Sequence, residues 1–217
     1  MENDGRVTMA RPRRTQAQRS SETRAALLDA TLEALVELGY KATTTTEVAR
    51  RAGVSMGAML HHFPTKVDLL TAAIGHAYDR RTTEFRQVMA QVDAEADKLD
   101  PAIDLLWSML TGPTYTAFLE LWVAARTDPE LAAPLVAVDR EFARSTEKLY
   151  CELFPDAGGL GETWSNGLHM ATSLLGGLAL TQMIDGYAPY SAESVIETYK
   201  GMVRGALAAA RRIDDDG

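Results

Sequence analysis

Between Thr44 and Lys66 the chain reads TTTEVARRAGVSMGAMLHHFPTK, and the residue types there suit recognition of a nucleic acid rather than bond breaking. Met56, Ala58 and Leu60 are small or apolar groups that can touch thymine methyls, and His61 can reach a base edge or a phosphate. Gly57 allows a close backbone approach. These residues act together only if they share one exposed helix, Ser55 to Phe63.

The elements that would hold such a helix are written around it. Thr44 and Glu47 have the capping-box spacing that ties off free N–H groups at a helix start. Val48, Ala49 and Ala52 give that helix an apolar side, and Ala49 is small enough for a second helix to cross closely. Gly53 can take the left-handed conformation of a sharp stop, and Val54 plugs the turn. Ser55 can cap the second helix, while Met59 and Phe63 point back into a core. The pattern predicts a helix-turn-helix whose second helix enters a DNA major groove.

Leu28 to Leu70 resembles the DNA-binding domain of the tetracycline-repressor (TetR) family of one-component regulators. The resemblance lies in an ordered set: a helix, Gly39-Tyr40, Thr43 to Thr46, Val48-Ala49, Ala52-Gly53-Val54-Ser55, Gly57, His62-Phe63, Lys66 and Leu69-Leu70. It covers about one fifth of the chain; the rest matches in helical character and length alone. The resemblance implies that Thr44, Thr45, His62 and Lys66 hold phosphates. Helix N-termini, which offer N–H groups, suit that role. Leu60 departs from the pattern, standing where the family usually has a tyrosine that contacts phosphate.

The charge distribution is compatible with a DNA partner. Residues 1–66 hold 10 Lys+Arg and 7 Asp+Glu, and the remainder holds 12 and 23, so a net +3 end precedes a net −11 body within the overall −8. A basic end can meet phosphate while an acidic body limits non-specific binding. Arg11, Arg13, Arg14 and Arg19 make a basic arm of residues 1–19, expected to be disordered, which either reaches DNA or is a solvated tail. Met9 offers a second start. The hydrophobic fraction of 46% is that of a folded protein. No apolar run reaches membrane-spanning length, and the N-terminus has no apolar signal-peptide region. Cys151 is the lone cysteine, which fits a reducing cytoplasm. The neighbours His61 and His62 point about 100° apart on a helix, so no metal site is expected.

The expected fold is all-α. Residues 20–66 form the helix-turn-helix domain, with a first helix capped by Ser20 or Ser21, striped by Leu28, Leu32, Leu35 and Val36, and ended by Gly39. Residues 67–92 form a domain-linking helix. Residues 93–217 form a ligand-binding and dimerisation domain of five helices from Pro101. In these, Tyr115, Phe118, Leu119, Trp122 and Val123 make an apolar stripe, and Pro134 predicts a kink or restart. Gly158-Gly159-Leu160-Gly161 is a loop with no phosphate-binding context. The last two helices span about Glu162 to Asp185 and Ser191 to Arg212, with a frayed IDDDG tail.

Trp107, Tyr115, Phe118, Trp122, Asn166, His169 and Met170 are candidates either for a pocket or for plain core. A pocket of such groups suits a small apolar or aromatic molecule, preferably neutral; its identity is unknown and no cofactor is implied. The resemblance implies that the last two helices form a four-helix bundle with a second copy, a homodimer reading a palindromic operator. Leu168, Leu175, Leu178, Val195, Tyr199, Met202 and Val203 are the interface candidates. The implied function is a ligand-responsive transcriptional regulator, a repressor before an activator, with ligand as inducer or corepressor. Two alternatives stand beside it: a protein-interaction module that has lost DNA binding, and an all-helical enzyme. No HExxH, nucleophile elbow or Walker loop supports the enzyme, and Cys151 has no His within sequence reach.

Overall fold

The computed structural model describes residues 15–93, 97–155, 161–184, 187 and 190–215. Among the described residues every regular element is an α-helix: α1 (Gln16–Ala42), α2 (Thr45–Ala52), α3 (Met56–His62), α4 (Lys66–Met89), α5 (Leu99–Leu110), α6 (Pro113–Ala125), α7 (Pro129–Leu153), α8 (Glu162–Thr181) and α9 (Ala192–Asp215).

Helix α1 starts before the expected serines. Thr15 accepts a hydrogen bond from the Gln18 N–H, and the Gln18 side chain accepts one from the Thr15 N–H, a full capping box. Ser20 and Ser21 therefore lie inside the helix, and residues 16–19 of the expected disordered arm are helical. The rest of the arm lies outside the described residues. Gly39 does interrupt α1, with φ 73° and ψ 175°, but helical structure resumes to Ala42. The buried face runs through Leu27, Leu28, Thr31, Leu32 and Leu35, while Val36 is exposed, so the stripe lies slightly to one side of the expected one.

One hydrophobic cluster joins α1, α2, α3 and the first half of α4, and continues into α6 through Ala117 and Leu121 and into α7 through Leu131 and Leu135. Helix α4 is continuous from Lys66 to Met89, burying Leu69, Leu70, Ala73 and Ile74 in this cluster and Phe85 and Met89 in another with Leu149, Tyr150 and Leu168. Thr65 and Asp68 form its reciprocal cap.

Helix α6 is rotated from its predicted stripe. Thr114, Ala117 and Leu121 face the core, whereas Trp122 and Val123 are each 60% exposed. Packing between α1 and α7 selects the slim face around Ala117, and the large rings take the flank. Pro113 and Pro129 occupy first-turn positions, where a missing N–H costs nothing. Helix α7 continues through Pro134 without the expected restart.

Helix α5 packs with α8 and α9 around Leu99, Ile103, Leu175, Leu178 and Ile196. Lys200 of α9, nearly fully buried, bridges Asp104 of α5 at 2.6 Å and Glu197 at 2.7 Å, and Arg204 pairs with Asp100. The helix extends to Asp215, into the tail expected to fray, and residues 216–217 of that tail lie outside the described residues. Helix α8 ends at Thr181, short of the expected Asp185. Of the glycine loop, residues 158–160 lie outside the described residues.

Candidate nucleic-acid interface and ligand cavity

The short helices α2 and α3 are built by local chemistry. The Thr44 hydroxyl accepts the Glu47 N–H at 3.2 Å. The expected reciprocal bond from Glu47 is replaced by a clamp: its carboxylate accepts from Arg50 at 2.7 and 2.9 Å and from Arg51 at 2.8 Å. Arg50 first, then Arg51, pulls the Glu47 pKa down to about 2. Arg51 also reaches Glu37 at 2.7 Å, tying α2 to α1. Gly53 takes φ 65° and ψ 31°, and the Val54 N–H closes on the Ala49 carbonyl at 2.9 Å. The Ser55 hydroxyl then accepts the Ala58 N–H at 3.2 Å.

This frame displays α3 as expected. Met59 and Phe63 are buried, while Ser55, Met56, Gly57, Leu60 and His61 are exposed, and Ala58 and His62 are half-buried. Thr44 is exposed and Thr45 half-buried beside them. The face can slot into a groove with few charges of its own, leaving backbone contacts to the helix ends.

Lys66 is placed differently from the resemblance's implication. Its Nζ donates to the Tyr40 carbonyl at 2.9 Å and lies 4.3 Å from the Tyr40 ring centroid. Its ammonium is therefore half-buried against its own chain, and burial lowers its pKa. Tyr40 is the centre of a junction. Its N–H donates to Glu120 of α6 at 2.9 Å, and its hydroxyl donates to Asp128 at 2.6 Å. Asp128 is also the cap of α7, its other oxygen accepting from the Glu130 and Leu131 N–H groups. The bond to Asp128 pushes the Tyr40 pKa up to about 12 and lowers that of Asp128. One residue thus joins the end of α1 and the start of α4 to α6 and α7.

A cavity of about 410 Å³ lies among α4, α5, α6, α7 and α8, within the range of small-molecule sites. Tyr78, Arg81, Thr82 and Phe85 of α4 line one wall at i, i+3, i+4 and i+7, and Asp139, Phe142, Ala143, Thr146, Leu149 and Tyr150 of α7 line another. Tyr115, Phe118 and Trp122 of α6, Met109 of α5 and His169 of α8 contribute to the rest. Tyr78 stacks on Phe142 with centroids 3.8 Å apart.

Of the seven pocket candidates, Tyr115, Phe118, Trp122 and His169 reach the cavity. Trp107 instead packs on the α5–α8–α9 core, and Asn166 and Met170 are exposed on α8. The α4 and α7 walls, with Arg81 and Asp139, escaped the sequence reading. Their signal was a helical stripe in which charges alternate with rings, which resembles an ordinary half-exposed face.

The interface candidates also divide. Leu168, Leu175 and Leu178 are buried within the subunit, and Val195, Tyr199 and Val203 pack partly on that core. Met202 is 69% exposed. Met170 and Leu174 of α8 are exposed, as is Ile184 beyond its end, and a Cβ at Gly167, Gly177, Gly201 or Gly205 would meet no atom within 4 Å. The apolar repeat marks the buried leucines of α8 but does not separate the subunit's own core from exposed positions such as Met202.

Residues 27–73 match the profile of bacterial regulatory proteins of the tetR family. The chain is 37% identical over 122 residues to an uncharacterised HTH-type transcriptional regulator of Mycobacterium bovis, covering 56% of this chain and 63% of that protein. It is 38% identical over 123 residues to the HTH-type transcriptional regulator CymR of Pseudomonas putida, covering 57% and 61%. These matches span less than two thirds of either relative. The crystal structure of a transcriptional regulator from Rhodococcus sp. Rha1 superposes with a TM-score of 0.63 at 22% identity, over 84% of this chain and 96% of that one. It shares the fold.

Proposed function

The chain belongs to the tetR family of bacterial regulatory proteins, and from that premise we propose that it is a one-component transcriptional regulator, a repressor released from a palindromic operator by a small-molecule effector. The observation that carries this reading is the Tyr40 junction. Helices α6 and α7 each provide a wall of the cavity and a side chain bonded to Tyr40. A ligand that favours one position of α6 and α7 thereby biases how α1 and α4 hold α3. Coupling of about 1–3 kcal/mol changes operator affinity roughly 5- to 150-fold, provided the ligand binds one state better than the other.

Two copies supply the two half-sites. The exposed face of α8 and α9, with its open glycines, lets a second copy's helices approach closely. Each α3 then enters successive major grooves near one helical turn apart or somewhat more. Lys66 acts here as a strut within the subunit, and phosphate contacts fall to Thr44, Thr45 and His62.

The test is a pull-down of sheared genomic DNA at two salt concentrations. One enriched palindrome that weakens as salt rises supports the reading; uniform retention, or none with any effector candidate, overturns it. A second measurement addresses the junction. Tyr40→Phe removes the bond to Asp128 and keeps the ring beneath Lys66. We expect operator affinity without effector to stay within about twofold, and the effector concentration for half-release to move by about threefold or more. An unchanged effector response would remove Tyr40 from the coupling route.

A further inference from the structure

The cavity holds one charge the protein leaves unanswered. Asp139 is half-buried, and it has no hydrogen-bond or ion-pair partner among the described residues. Burial alone raises its pKa, the mark of a carboxylate losing water without gaining a cation. Arg81, the opposite charge in the same cavity, is already placed. Its Nη1 lies 3.7 Å from Glu84, and its Nη2 is seated so close to the α5–α6 turn that a Cβ at Gly112 would come within 2.2 Å of it.

The surroundings of Asp139 have a sign of their own. Tyr78 is its electrostatic neighbour, and Tyr78 stacks on Phe142 at 3.8 Å and lies 6.0 Å from Phe118. Ring faces carry negative partial charge, so they attract a cation and repel a carboxylate. A carboxylate and a group of rings in one half-open cavity form a receptor for a positive head on an apolar body.

Resting on the regulator reading above, we propose that the effector is an organic cation, an amine or ammonium on an apolar skeleton, with its charge at Asp139 between Tyr78, Phe118 and Phe142. The remaining length of the cavity, toward Phe85, Leu149 and Met109, takes the skeleton. This differs from the neutral ligand expected from sequence, where Asp139 was not assigned to the pocket.

The experiment uses three probes alike but for the head: 4-phenylbutylamine, 4-phenylbutan-1-ol and 4-phenylbutyrate. Each is titrated into the full chain without DNA, with binding read by tryptophan fluorescence and thermal shift. The amine is expected to bind about tenfold or more tighter than the alcohol, with the acid weakest. Asp139→Asn should erase the amine's advantage while melting no lower than the wild type, having no partner to lose. Arg81→Gln should keep the advantage. Tighter binding of the acid, an amine preference that survives Asp139→Asn, or no binding by any probe each overturns the proposal. Because the readout needs no DNA, a chain that ignores amines but keeps its operator refutes only the ligand class. A chain that binds amines but no operator refutes only the regulator reading.

Discussion

Glutamate at position 57 should abolish specific operator retention and leave the protein as stable as before. Gly57 is exposed in the first turn of α3, and a Cβ there meets no atom within 4 Å, so nothing in the fold resists the longer side chain. Replacing a helical glycine gains at most about 1 kcal/mol of helix propensity, and a carboxylate in the first turn is favoured by the positive end of the helix dipole. On DNA the same carboxylate would enter a groove flanked by phosphates, and like charges set against each other cost several kcal/mol. An affinity loss of about 100-fold or more is expected, measured by fluorescence anisotropy on the enriched site, with a melting temperature no lower than wild type. Gly57→Ala is the control, with unchanged folding and a smaller loss. If Gly57→Glu bound like wild type, α3 would not be the reading surface.

The largest stability effect is expected at Gly39→Val. A φ of 73° with a ψ of 175° is a combination essentially reserved for glycine, and forcing another residue there costs about 1–3 kcal/mol. A Cβ would also approach the Glu120 Oε2 to 2.9 Å, displacing the carboxylate that accepts the Tyr40 N–H. That side chain can swing away, so the backbone term dominates and the lost bond adds about 1 kcal/mol. The total of about 3 kcal/mol is a large share of a typical 5–15 kcal/mol stability. It corresponds to a fall of about 6–12 °C in Tm for a chain of this size. Gly53→Ala makes the comparison: φ 65° and ψ 31° lie in the left-handed helical region and nothing surrounds the Cβ, so about 1–2 kcal/mol is expected. Equal melting of Gly39→Val and wild type would contradict the conformation at Gly39.

What could be read from sequence was what neighbours along the chain decide. The Thr44 and Ser55 caps, the Gly53 turn and the inward Met59 and Phe63 need only a few adjacent residues, and all appear in the structure. The start of α7 at Pro129 behind its Asp128 cap is local in the same sense. The Glu47 bond was misassigned because two arginines one turn on outcompete a backbone N–H for a carboxylate. Trp122 and Val123 were misplaced because hydrophobicity ranks them above Ala117, while close packing of α6 between α1 and α7 prefers the smaller side chain. Asp139 and Lys66 were beyond reach, since their roles depend on residues far along the chain.

The core shared by α1, α4, α6 and α7 bears on how such a regulator can be divided. Cutting the chain after the helix-turn-helix would strip Leu70 and Ile74 of α4, with Ala117, Leu121, Leu131 and Leu135, from the shared cluster, leaving Leu27, Leu28 and Leu35 without part of their cover. The reading head is therefore not a detachable cartridge. A chimera that grafts a new sensor onto residues 15–66 would inherit a bare apolar seam unless it also brought α6, the start of α7, and the Glu120 and Asp128 that receive Tyr40. Exchange of sensors between such proteins is then constrained at the seam more than at the ligand, whose surroundings are free to vary so long as that patch is kept.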